Sequence, residues 1–146
     1  MSDTVTLLKE TESGACMAKD ALEQVLEHIC DKTLRRAAEA SLDAHCRLGD
    51  RIHGALADLG EGEKGSGAVA RSMSRLKTQW KLSMEEDDRA VAEILSEGCD
   101  MGIRTISRVA EKCAGADLRA RDLAGELIAL EEALSRDARA YLTRGL

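Results

Sequence analysis

The chain has 146 residues, a length typical of one domain spanning residues 1–146, and its formal net charge of −6 differs from the basic character of general nucleic-acid binders. It contains no proline or phenylalanine, one tryptophan and one tyrosine, which argues against a β-domain. Alanine, leucine and charged residues of high helix propensity dominate instead, so we expect an all-α protein.

Composition also bears on the cellular compartment. No apolar run approaches the ~20 residues of a transmembrane helix, and the first residues, MSDTVTLLKETESG, lack the basic start and apolar block of a signal peptide. The five cysteines are odd in number and include no Cys-x-x-Cys pair, as expected of reduced thiols that serve as small core residues. We therefore predict a cytoplasmic protein.

Two long amphipathic helices are predicted first. The first helix should begin at residue 3 or 4 and end near residue 30, and the second, capped by Asp31 or Thr33, should continue to residue 59. Apolar residues recur at steps of three and four along both, which predicts one buried face on each helix. The second face contains Leu34, Ala38, Ser41, His45, Leu48, Ile52, Ala55 and Leu59.

The middle of the chain begins with a glycine-rich loop at residues 60–67, GEGEKGSG. A short helix over residues 68–82 should follow, and then a break where Ser83 and Glu86 form a capping box. The next helix should end near Cys113, and the last should cover residues 118–143. Its inward face is predicted to contain Leu123, Leu127, Leu130, Leu134 and Tyr141.

Long helices joined by short turns pack against each other, so the sequence predicts an antiparallel up-down four-helix bundle with a short extra helix between the second and fourth predicted helices. Two alternatives fit the same pattern. One is a longer coiled-coil hairpin that completes its core by dimerising, and the other is an elongated three-helix bundle.

A short motif links the chain to a known family. Cys99-Asp100-x-Gly102 lies in the penultimate long helix, after a Leu59-Gly60 helix ending, a Gly/Ser turn and a short helix with Trp80. This order resembles an uncharacterised bacterial family of ferritin-like four-helix bundles, a domain of unknown function. The resemblance implies a ferritin-like fold. In that family the run looks like Cys-Glu-x-Gly-Glu, and its second acid is a candidate metal ligand, but the matching residue here is Ile103.

A ferritin-like metal centre requires a Glu from each of two helices and Glu-x-x-His from the other two. The chain has only His28, His45 and His53, and no Glu-x-x-His. The nearest match, Asp50-x-x-His53, places Asp50 on the outer face of its helix. We therefore predict no metal ligands, no cofactor and no catalytic residue.

His45 is the exception, because it lies on the inward face of its helix. It is predicted to be a neutral core histidine hydrogen-bonded to a neighbour such as Glu12 or Glu126. The alternative is a reduced metal site formed by Glu12, His45 and Glu126.

Two glycines, Gly98 and Gly102, interrupt the helix that contains Cys99, at a cost of about 1 kcal/mol each relative to alanine. Their spacing predicts close approach of a partner helix. Space for a ligand is the alternative.

The short helix is predicted to expose part of an apolar face containing Val69, Met73, Leu76 and Trp80. A basic stretch at residues 64–81 precedes an acidic one at 85–100, which suits twofold pairing of two copies. We therefore expect a homodimer with Met73, Leu76 and Trp80 at its interface. A nucleic-acid or phosphate site on the basic stretch is disfavoured because the whole chain is acidic.

On these grounds we expect a non-enzymatic bundle that acts through protein–protein interaction with an unknown protein partner. Two alternatives remain open. The first is a ferritin-like metal-binding or oxidative-stress protein with a reduced site. The second is a helical coat or adaptor protein on a granule or membrane surface.

Overall fold

The computed structural model describes residues 2–61, 87–144 and 146. These residues form four helices and no strands, which confirms the predicted all-α class. The helices are α1 (Asp3–Leu26), α2 (Lys32–Asp58), α3 (Asp88–Lys112) and α4 (Leu118–Thr143).

Each helix begins at a side-chain cap, which fixes its first residue. Ser2, Asp31, Asp87 and Asp117 each accept a hydrogen bond from a backbone N–H two or three residues later. The predicted bounds of α2 and α4 therefore agree with the structure. At the end of α2, Gly60 adopts a φ of +76°, and the N–H of Glu61 bonds to the carbonyl of Leu56 at 2.8 Å. This left-handed ending is the one that glycine favours.

The end of α1 differs from the prediction because of a residue far away in sequence. The helix ends at Leu26 rather than near residue 30. The carboxylate of Asp88, in the first turn of α3, accepts the backbone N–H groups of Cys30 and Asp31 at 2.9 and 2.7 Å. Asp88 thereby stabilises the turn between α1 and α2.

The start of α3 lies beyond the predicted break. The helix begins at Asp88, and its N-cap is Asp87. The predicted capping box at residues 83–86 and the predicted short helix at 68–82 fall outside the described residues.

Contacts at the two ends of the bundle define the helix directions. The beginning of α1 meets the turn between α3 and α4, where the N–H of Gly115 bonds to Asp3 at 2.9 Å. The end of α2 lies at the same end, because Asp58 pairs with Arg119 at 2.9 Å. The start of α3 lies at the opposite end, where Asp88 meets the turn before α2.

It follows that α2 and α3 run in the same direction, and that the connection between them joins opposite ends of the bundle. This is not the simple up-down order predicted from the sequence. Short turns force the chain to reverse its direction between α1 and α2 and between α3 and α4. The connection between α2 and α3 has more than 20 residues, so it does not force these two helices to run in opposite directions. Both α1 and α4 pack against α2 and α3, and α1 also contacts α4.

The bundle interior contains two apolar clusters. One includes Leu8, Leu56 and Leu127, and the other includes Leu22, Leu34 and Leu134. The inward faces predicted for α2 and α4 are largely buried. The exceptions are Leu59, which is 47% exposed just beyond the end of α2, and Ser41, Leu130 and Tyr141, which are half-buried. Among the four described helices, none has the length and apolar character that crossing a membrane requires.

Candidate functional site

A polar layer lies between the two apolar clusters and joins three helices. It consists of His45 from α2, Cys99 from α3 and Glu131 from α4, which are 1%, 3% and 7% exposed. The thiol of Cys99 donates a hydrogen bond to Glu131 Oε2 at 3.3 Å, and His45 Nε2 lies 3.6 Å from the same oxygen. We call these three residues the central layer.

The His45 ring is fixed by its own helix. Its Nδ1 atom lies 2.7 Å from the backbone carbonyl oxygen of Ser41 and 3.2 Å from the Ser41 hydroxyl. The second ring nitrogen, Nε2, is buried and has no hydrogen-bond partner within the described part of the chain. The ring is thus held with Nε2 directed at Glu131.

Because Gly102 has no side chain, the Glu131 carboxylate can occupy the space beside it. A Cβ atom at position 102 would lie 2.8 Å from Glu131 Oε1. The sequence predicted close approach of a partner helix at Gly102. In the structure, the group that approaches Gly102 is the Glu131 carboxylate of α4. Gly98 differs, because it is exposed and, apart from its chain neighbours and the nearby backbone of its own helix, no described atom lies within 4 Å of a Cβ placed there.

The environment of Cys99 suppresses its acidity. Burial raises the pKa of the Cys99 thiol, and the negative charge of Glu131 raises it further. The thiol therefore remains protonated and acts as a hydrogen-bond donor. Cys99 is thus a buried core residue, as predicted, and its thiol makes a hydrogen bond that was not predicted.

A second polar network lies beside the central layer, between α3 and α4. Asp100 accepts hydrogen bonds from the Ser135 hydroxyl at 3.2 Å and from the guanidinium of Arg139. Arg139 also donates from Nε to the hydroxyl of Ser96 at 3.2 Å. The arginine is thereby paired with Asp100.

The two acids predicted to accompany His45 lie elsewhere, so that prediction is wrong. Glu12 lies 3.2 Å from Nδ1 of the exposed His53. Glu126 accepts two hydrogen bonds from Arg51 at 2.7 and 2.8 Å, and these bonds lower the pKa of its carboxyl group. His45 is hydrogen-bonded to Ser41, and the acid that lies nearest to its ring is Glu131, at 3.6 Å from Nε2.

Other residues singled out in the sequence take no part in the central layer. Ile103, at the position of the family's second acid, is half-buried, and Asp50 is exposed as predicted. The predicted interface residues Met73, Leu76 and Trp80 lie outside the described residues, as do the whole of the basic stretch and most of the glycine-rich loop.

Glu131 is the residue that sequence reasoning missed. The predicted inward face of α4 passed through Leu130, because only large apolar residues were used to draw it. A face drawn through small residues as well passes through Glu131 at regular steps of four and three. Its members are Ala120, Ala124, Leu127, Glu131, Leu134 and Ala138, and all six are buried.

The central layer brings together the donor types that bind transition metals, namely an imidazole, a carboxylate and a thiol. Nevertheless, within residues 2–61 and 87–144 no group of three or more His, Cys, Asp or Glu side chains is arranged to hold a metal ion. In the described structure the carboxylate lies between the thiol and the imidazole, and it accepts the thiol's hydrogen bond.

Comparison of the chain with known protein families, with curated proteins and with solved structures found no match.

Proposed function

We propose that this protein is a non-enzymatic, ferritin-like helical bundle without a di-metal centre, and that it acts through protein–protein interaction. The observation that carries the proposal is the composition of the central layer. Its one carboxylate, Glu131, lies between a thiol and an imidazole, and the facing position on α3 is Gly102 rather than a second acid.

Helix order supports the ferritin-like part of the proposal. Ferritin-like folds have one long crossover connection, whereas simple up-down bundles have only short loops. In this chain, α2 and α3 begin at the same end of the bundle, so their connection is a crossover.

The ligand inventory supports the absence of a di-metal centre. A ferritin-like centre requires four carboxylates and two histidines in Glu-x-x-His pairs. No histidine follows His53 in the sequence, so neither α3 nor α4 can contribute one. Glu12 and Glu126 are engaged by His53 and Arg51 near the surface.

One observation favours a second candidate, a metal-binding protein with a reduced site. Buried polar atoms are normally hydrogen-bonded, but His45 Nε2 has no hydrogen-bond partner among the described residues. Such a site would have to form around His45 with Glu131, which lies 3.6 Å from it, because Glu12 and Glu126 are engaged elsewhere. The described arrangement itself contains no group of three ligands placed to hold a metal ion.

Metal analysis of the purified protein distinguishes the two candidates. The first requires less than about 0.1 equivalents of iron, manganese or zinc per chain, since the ligand set of a di-metal centre is missing. Stoichiometric metal that disappears in Glu131→Ala or His45→Ala, but remains in Glu132→Ala, would establish the second. Glu132 is the matched control because it is the exposed neighbour of Glu131 on the same helix.

A further inference from the structure

The orientation of the His45 ring specifies where its hydrogen atoms lie. A carbonyl oxygen can only accept hydrogen bonds, so the 2.7 Å contact from Nδ1 to the carbonyl of Ser41 requires a hydrogen on Nδ1. In a neutral ring, the other nitrogen, Nε2, then has a lone pair and no hydrogen.

That lone pair would face another acceptor. Nε2 lies 3.6 Å from Glu131 Oε2, and both side chains are buried. A neutral imidazole and an ionised carboxylate in this arrangement would place two hydrogen-bond acceptors opposite each other, 3.6 Å apart, in a buried layer. One proton, on Nε2 or on the carboxyl group, turns the contact into an attraction.

We propose that His45 and Glu131 together hold one proton, and that this proton fastens α2 to α4 at the centre of the bundle. The proposal is independent of the proposed function, because it concerns the pair whether or not the bundle binds partners. Proton release would leave a buried negative charge facing a lone pair and would loosen the contact between the two helices at this level.

Among the residues that the structure describes, no other group around the pair supplies this proton contact. From α3, Cys99 donates its own hydrogen to Glu131 Oε2 at 3.3 Å. The charged residues nearby, Asp100 on α3 and Arg139 on α4, are paired with each other. From α1, Gly14 lies level with Leu127, so the residue one turn later, level with Glu131, is the uncharged Ala18.

Nuclear magnetic resonance of the full-length chain, labelled with ¹⁵N and ¹³C, tests the proposal. Long-range proton–nitrogen spectra report the state of each histidine ring nitrogen, and carboxyl carbon shifts report the state of Glu131. At neutral pH we expect Nδ1 of His45 to be protonated, together with either a protonated Nε2 or a protonated Glu131 carboxyl group. His53, which is exposed on the same helix, provides the internal reference.

Two matched variants test whether His45 and Glu131 hold this proton together. In Glu131→Gln, the amide can donate to Nε2, so we expect a neutral His45 ring with an unprotonated Nε2 at neutral pH. Glu132→Gln should leave the His45 signals as they are in the parent. The proposal is overturned if the parent shows an unprotonated Nε2 together with an ionised Glu131 at neutral pH. That measurement needs only the parent protein, so it holds even if Glu131→Gln does not fold.

Discussion

Glu131 Oε1 occupies the position next to Gly102 at which a side chain would begin, 2.8 Å from the site of a Cβ atom. The other oxygen of the same carboxylate accepts the Cys99 thiol hydrogen at 3.3 Å. The carboxylate therefore cannot move away from position 102 without disturbing its hydrogen bond. Glycine at position 102 lowers the helix stability of α3, and the absence of a side chain there leaves room for the buried Glu131 carboxylate of α4.

The first prediction compares the two glycines of α3. Gly98→Ala should stabilise the protein by about 0.5–1 kcal/mol, because it removes the helix penalty of glycine at an open, exposed position. Gly102→Ala should show no such gain, because its Cβ meets Glu131. Gly102→Leu should destabilise the protein by roughly 1–3 kcal/mol through overpacking. Urea denaturation of the three variants measures these differences.

A Glu131→Ala background provides the control for the Gly102→Ala substitution. In a Glu131→Ala background the obstacle is absent, so Gly102→Ala should then stabilise the protein as much as Gly98→Ala does. Equal gains at both positions in the parent background would mean that there is open space beside Gly102, and the ligand-space alternative would be favoured.

Local sequence signals were sufficient for the helices but not for the central layer. The bounds of α4 follow from an Asp cap and a regular apolar face, both of which lie within the helix itself. The contact between His45 and Glu131 joins residues far apart in sequence, so no local pattern reports it. The only sequence signal for Glu131 is that it is a polar residue on the face of α4 that contains the buried small residues.

Long-range contacts also explain the other differences. The periodic apolar pattern of α1 continues to the buried Ile29, yet the helix ends at Leu26 because Asp88 takes the N–H groups of the following turn. The direction of α3 relative to α2 depends on where a long connection leads, and hydrophobic periodicity contains no information about that direction.

The second prediction concerns the carboxylate that binds this turn. Asp88→Ala should destabilise the protein by about 2–3 kcal/mol, because it leaves two partly buried backbone N–H groups without their acceptor. Asp88→Asn retains one acceptor oxygen and should lose less. Denaturant midpoints measure both, with Asp50→Ala as the control at an exposed position. A loss for Asp88→Ala no larger than that for Asp50→Ala would contradict the role assigned to this residue.

The third prediction concerns thiol reactivity. Thiolates are the nucleophiles in alkylation, and burial together with the Glu131 charge raises the pKa of the Cys99 thiol. Iodoacetamide at mildly alkaline pH should therefore label the exposed Cys30 well before Cys99 in the folded protein. In denaturant the two rates should become similar. Mass spectrometry of the digested protein follows each site, and comparable labelling of both in the folded state would show that Cys99 is accessible.

The last prediction concerns self-association through the stretch that contains Trp80. Light scattering at micromolar concentration should give twice the chain mass of 15.8 kDa. Replacing Met73, Leu76 and Trp80 by serine should shift the protein toward the monomer, because an apolar contact surface is removed. Met101→Ser is the matched control, because Met101 is an exposed methionine on α3 at 62% exposure and lies outside the predicted interface.

The charges available for this pairing are fewer than the sequence suggested. Within the acidic stretch, Asp88 is committed to the turn before α2 and Asp100 is paired with Arg139. Glu97 is exposed, and we predict that it meets a partner's basic stretch. Glu97→Lys should therefore weaken the dimer at low salt, whereas Glu132→Lys, an equivalent exposed change on α4, should not. A 15.8 kDa particle at all concentrations, with the fluorescence of a fully buried Trp80, would exclude the dimer, since the apolar face would then be covered within its own chain.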